Sequence, residues 1–183
     1  MQKEKNRATW SGKIQKICRF RKIKKEIKRA KKTGKGAKTS EINKLLSCSP
    51  NFIGCFAENE LKNIKLKSFP CFLIVNLDHE KLSGSHWISL LITKSQVEIW
   101  DTLGFRLLDW PRIPCHLLNF LHNLVVKRKV IVSRRIQSES SVLCGFYCIF
   151  FVLCRPFLSL SKLMCHFDSK LSLNDTRLIK FFS

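Results

Sequence analysis

Apolar and polar positions split the chain into a polar first forty residues and a patterned remainder. Phe69–Leu77 is a compact apolar run with the length of a central strand. His86–Thr93 and Gln96–Trp100 read as two further strands. Lys94 and Ser95 lie at the turn between them, which predicts an antiparallel hairpin. In such a hairpin the first residue of one strand lies close to the last residue of the next. His86 and Asp101 are therefore expected within a residue or two of facing each other. Leu117, Leu118, Leu121 and Leu124 fall at helical spacing in His116–Val126, and Lys127–Ile136 alternates basic and aliphatic residues like an edge strand. Phe146–Leu153 is apolar all round, which predicts a buried helix rather than a surface one. Ser40–Leu46 reads as a short helix capped by Ser40. Leu158–Met164 and Thr176–Phe182 read as short terminal helices. Pro50 and Gly54 make Cys48–Phe56 a structured loop that packs Phe52, Ile53 and Phe56 on the domain.

Charge sharpens the division. Residues 1–40 hold 16 Lys and Arg against Glu4 and Glu26, a net of +14 out of +21 for the whole chain. Within them Ile14 and Cys18, then Ile23, Ile27 and Ala30, fall at helical spacing. Residues 1–40 are read as a basic, disordered arm, with a helix formed on contact with a polyanion as the alternative. Residues 41–183 are read as the folded domain. Lys31–Lys38, with two glycines, reads as a flexible linker. A basic arm points to nucleic acid as a partner, and Arg19–Lys32 has the composition of a nuclear-import signal.

A hydrophobic content of 45% suffices for a core. Nine cysteines occur without Cys-x-x-Cys pairs or zinc-finger spacing, so no metal or other cofactor is called for. The charged N-terminus has no signal-peptide pattern, and Phe146–Leu153 is too short to span a bilayer. The expectation is an intracellular, reducing compartment with free thiols and no membrane association.

One cysteine stands apart. Cys144, followed by Gly145, opens the buried helical run and lies in its first turn, where the positive end of the helix dipole favours a thiolate. Gly145 beside it offers no side chain to crowd a substrate. Gln137, seven residues earlier, carries an amide able to donate to a developing oxyanion. Cysteine nucleophiles need a base and a group that orients it. His86 and Asp101 supply both types, and Trp87 is placed to shield them. Each residue also has an ordinary reading: a core cysteine, a strand-end histidine, a turn aspartate, a loop glutamine. His79, His116, His122 and His166 lack a comparable setting.

His86-Trp87, Val97–Gly104 with Asp101, Gln137 and Cys144-Gly145, in that order, resemble the adenovirus-type cysteine proteases, the adenain family, within the larger group that includes the SUMO-specific proteases. Ser49–Gly54 also resembles the aromatic-glycine loop near that family's N-terminus. The resemblance spans roughly residues 42–155. It implies an α+β fold, a mixed sheet flanked by helices, with the nucleophile on a buried central helix. It implies a triad of Cys144, His86 and Asp101 with Gln137 as oxyanion donor, viral precursor proteins as substrates, activation by DNA, and residence in the virion and host nucleus. The family's peptide cofactor is disulfide-linked, yet no cysteine lies between Cys115 and Cys144 to hold one. Aspartate stands where adenain has glutamate, as is usual in the SUMO-protease branch. The leading reading is a cysteine endopeptidase that matures capsid or core proteins. A protease for ubiquitin-like modifiers and an inactive, DNA-binding protease-like core protein remain open.

Overall fold

The computed structural model describes residues 20–79, 86–104 and 113–183. It is an α+β fold built on one mixed five-stranded sheet flanked by helices. The strands are β1 (Phe52–Ala57), β2 (Cys71–Asn76), β3 (Trp87–Ile92), β4 (Gln96–Trp100) and β5 (Lys129–Val132), and they lie side by side in chain order. The β1–β2 and β4–β5 pairs are parallel, whereas β2–β3 and β3–β4 are antiparallel. The hairpin expected at Lys94-Ser95 is the β3–β4 pair, with Ser89 opposite Trp100. Every residue of β2 and β3 is buried, as befits central strands covered on both faces.

Alternation along the strands serves two cores. Leu73, Val75, Ile88, Leu90, Val97 and Ile99 face one side. The helix Cys115–Val125 closes that side with Leu117, Leu121 and Leu124. Phe72, Ile74, Leu91 and Trp100 face the other side, where the helix Cys144–Cys154 lies. All eleven of its residues are buried, as an all-round apolar sequence requires. Trp100 stacks on Phe151 with ring centroids 5.1 Å apart, and its Nε1 donates to Tyr147 O at 3.1 Å. At the far end Arg155 makes two 2.6 Å contacts with the buried Glu98 carboxylate, pinning the helix to the sheet.

In chain order the helices are α1 (Phe20–Thr33), α2 (Thr39–Leu46), α3 (Cys115–Val125), α4 (Cys144–Cys154), α5 (Leu160–Met164) and α6 (Asn174–Phe181). No described helix is long and apolar enough to cross a membrane.

Several local expectations are corrected. Residues 20–33 of the expected arm are a helix whose Ile23, Ile27 and Ala30 are completely buried beside α4. Phe20 packs on Phe181 and Phe182, and Arg29 donates to Glu41 of α2 at 2.9 Å. Burying the two isoleucines contributes about 1.5–3 kcal/mol each, and the lysines lie on the other faces of the helix. Residues 1–19, with Ile14 and Cys18, lie outside the described part. The Lys31–Lys38 segment is anchored too, because Ala37 is buried and its carbonyl accepts the Trp87 indole N–H at 3.2 Å. The Cys48–Phe56 loop is in its second half the edge strand β1, masked in the sequence by Gly54 and an irregular register between Phe52 and Gly54. Ser40 does not cap α2: the helix begins at Thr39, and the Glu41 carboxylate accepts the Lys38 N–H at 3.1 Å.

Candidate active site

The sheet ends on one side in a row of polar residues. Strand β3 begins just after His86 and β4 ends just before Asp101, so the antiparallel pairing brings both to the same end. His86 Nε2 lies 2.8 Å from Asp101 Oδ1, and both side chains are buried. Cys144 stands near enough to the ring to raise its pKa. Burial by itself lowers the His86 pKa. The hydrogen bond to Asp101, the nearby Cys144 and the charges of both outweigh it and raise the pKa from 6.5 to about 9. The ring is thus held as an imidazolium at neutral pH.

Asp101 is fixed from several sides. Its backbone N–H donates to Ser133 Oγ at 2.9 Å, and that hydroxyl returns a bond to Asp101 O at 2.8 Å. Leu103 N–H donates to the same Oδ1 that holds His86. The chain then turns through Gly104, whose φ of +70° suits glycine. A Cβ there would lie 2.6 Å from the Arg135 backbone, so the turn packs directly on the segment leading to Gln137.

Cys144 opens α4, where the first N–H groups have no intrahelical partner. It keeps 8% of its surface exposed, whereas Cys148 and Cys154 on the same helix keep none. Burial pushes the thiols of Cys148 and Cys154 well above their ordinary range, and that of Cys55 as well. Cys144 is thus the least enclosed of the three cysteines on α4 and the one near the imidazolium. Gly145 does a different job from the one expected. It is buried, and a Cβ on it would meet Ala37 at 3.0 Å, Ile42 at 3.2 Å and Trp87 at 3.3 Å. Its missing side chain lets α1–α2 and Trp87 close against the start of α4, instead of opening space for a substrate.

Gln137 is 1% exposed. Its Oε1 accepts from Thr102 Oγ1 at 2.5 Å, and its Nε2 donates to Ser141 O at 2.8 Å. The second Nε2–H is left over. Thr102 directly follows Asp101, so a short chain of bonds runs from His86 through Asp101 to Gln137, with Cys144 near its His86 end. All four residues singled out in the sequence meet at one end of the sheet. Their surroundings were not legible. Thr102 stood inside the Asp-Thr-Leu-Gly stretch without a role. Ser133, Ser141 and Asp175 carried no signal at all. Asp175 Oδ1 accepts both Ser141 Oγ at 2.8 Å and Tyr147 OH at 3.0 Å, tying α6 to this loop and to α4. Burial, with the Asp175 charge beside it, pushes the Tyr147 phenol upward, so it remains a donor.

Among the described residues no cluster of His, Cys, Asp and Glu is arranged to hold a metal ion. His116, His122 and His166 lie on or beside α3 and α5, and His79 follows β2.

No protein-family model matches the chain. No curated protein is similar to it. Among solved structures, the crystal structure of the ASFV pS273R protease aligns at 22% identity with a TM-score of 0.38. The alignment covers 62% of this chain and 43% of that one, so the chain spans less than half the length of that protease.

Proposed function

We propose that the chain is a cysteine endopeptidase with Cys144 as nucleophile, His86 as its acid–base partner, Asp101 as the group that orients the imidazolium, and Gln137 with the Cys144 N–H as oxyanion donors. The observation that carries this reading is the buried His86–Asp101 bond at 2.8 Å, near a cysteine at the start of a helix that helps raise the pKa of the same ring. A purely structural ion pair has no need of a cysteine in the first turn of a helix beside it. A nucleophile and its base do.

The chemistry follows. The Cys144 thiolate attacks the peptide carbonyl carbon and forms a C–S bond. The carbonyl oxygen takes the negative charge and receives the Gln137 Nε2–H and the Cys144 N–H. As the C–N bond breaks, the His86 imidazolium gives its proton to the departing amine. Neutral His86 then takes a proton from water, which attacks the thioester and releases the thiolate and a carboxylic acid. Asp101 keeps the ring turned so that one nitrogen faces the sulfur throughout.

The ordered residues resemble adenain, and on that ground the substrates are precursor proteins of a virus or viral element. The exposed face of α1, with Arg21, Lys25, Lys28 and Lys32 at helical spacing, is the place for DNA to bind. The test is a digest of candidate precursors by the native chain and by Cys144→Ala, with labelling by a peptide vinyl sulfone. Cleavage and Cys144 labelling in the native chain alone are expected. Failure to label Cys144 would leave an inactive, polyanion-binding protein. Gln137→Ala should lower kcat by ~10²–10³ with little change in KM. A variant altered only in KM would move Gln137 from catalysis to substrate binding.

A further inference from the structure

An oxyanion donor made from a side-chain amide has to be held in place and the right way round. Around Gln137 two groups do this from opposite ends. Ser141 O can only accept, so it selects the NH2 end, at 2.8 Å. Thr102 Oγ1 donates to the Oε1 end at 2.5 Å. Thr102 also grips the backbone of the same residue, because its carbonyl accepts the N–H groups of Ile136 and Gln137, both at 2.9 Å. Thr102 is completely buried, so no water competes for these bonds. It stands one peptide bond from Asp101, whose backbone is itself clamped by Ser133. Ser141 is held in turn by Asp175 of α6.

We infer that Thr102 is a positioning residue that ties the oxyanion amide of Gln137 to the acid Asp101, so that the donor and the His86–Asp101 pair are set by one turn of chain. This rests on the proposed protease reading for its catalytic consequence, but not for the geometry it asserts. Without the Thr102 hydroxyl, Oε1 is left buried and unpaired, and the amide turns or tilts to find another partner. The remaining Nε2–H then leaves the position where it meets the transition state. Ground-state substrate binding is unaffected, because the carbonyl oxygen becomes a strong acceptor only as charge develops.

The experiment uses Thr102→Val, which removes the hydroxyl and keeps the backbone carbonyl, with Thr102→Ser as the conservative variant. With a fluorogenic peptidyl-Gly-Gly amide, Thr102→Val should lower kcat by ~10–10², short of the ~10²–10³ of outright donor loss, at unchanged KM. Thr102→Ser should recover most of the rate. Alkylation of Cys144 by iodoacetamide, which forms no oxyanion, should proceed at the native rate in both. Full kcat in Thr102→Val, or equal impairment in the valine and serine variants, overturns the inference. The double variant Thr102→Val with Gln137→Leu leaves no orphaned amide and guards against misfolding of the single one. It should turn over at the rate of Gln137→Leu alone, and a further loss would place the effect of Thr102 elsewhere. A second arm reads the amide itself. In 15N-labelled protein the Gln137 side-chain protons should exchange slowly with solvent, and faster in Thr102→Val. Unchanged shifts and protection overturn the inference whatever the activity. If instead Cys144→Ala shows no loss of hydrolysis, the protease reading falls and the amide arm still decides the role of Thr102.

Discussion

Helices α4 and α1 reach the same core by opposite routes. In α4 all eleven residues are buried, and nothing in its sequence is charged. In α1 three of fourteen residues are buried, and most of the others are lysine or arginine. Both contribute to the layer that covers one face of the sheet. The difference shows that a basic composition does not by itself mark an appendage. A stripe of Ile23, Ile27 and Ala30 is enough to dock a helix when the domain offers an apolar groove, and the lysines simply occupy the opposite face. The composition break near residue 40 is therefore a poor place to cut: removal of residues 1–40 would strip buried side chains from the core along with the positive charge.

Several substitutions probe that contrast. The largest effect belongs to the N-terminal end of α4. Cys144→Ala and His86→Ala should abolish peptide hydrolysis, a loss of many orders of magnitude; circular dichroism should stay near native in both, and melting near native in Cys144→Ala, whereas His86→Ala should melt lower because it leaves the buried Asp101 carboxylate without its partner. Turnover in either variant comparable to the native chain would sever α4 from the chemistry.

The next effect concerns the buried stripe of α1. Ile27→Ala should destabilise the fold by ~2–5 kcal/mol in urea unfolding, as expected for a completely buried isoleucine. A change within about 0.5 kcal/mol, typical of surface positions, would return α1 to the status of an arm.

A third measurement follows the proton on His86. The folded chain holds it up to about pH 9, against 6.5 for an unperturbed ring. Because the folded value is raised, the His86 contribution to stability is complete below pH 6.5 and is lost as pH rises through 9. Turnover that needs the imidazolium should fall over the same alkaline range. Asp101→Asn removes the charge that helps hold the proton, so its alkaline limb should move to lower pH. An unmoved limb would show that Asp101 does not hold the proton.

The smallest effect is on the solvent face of α1. Lys25, Lys28 and Lys32 are exposed, so replacing all three with glutamine should leave urea stability nearly unchanged. Affinity for duplex DNA should drop, and the slope of log K against log salt should flatten by about 0.9 for each phosphate that is no longer neutralised. An unchanged slope would direct attention to residues 1–19 or to the basic strand Lys127–Arg135.

Local patterns in the sequence determined a good deal. The apolar runs on either side of the Lys94-Ser95 turn placed β3 and β4, and with them the approach of His86 to Asp101. The uninterrupted apolar run placed α4 and put Cys144 in its first turn. These features depend on near neighbours in the chain, so composition and spacing carry them. What surrounds the four residues was decided only by tertiary structure. Thr102 meets Gln137 across 35 residues, Ser133 meets Asp101 across 32, and Asp175 meets Ser141 across 34. Such hydrogen bonds have no period, and a buried threonine or serine looks the same in sequence as an exposed one. The two misplaced elements share that cause. Strand β1 owes its place to pairing with β2 despite Gly54, and α1 owes its place to α6, α2 and the apolar cluster it shares with α4. In both, the favourable energy comes from a partner distant in sequence, so the residues themselves read as loop and as tail.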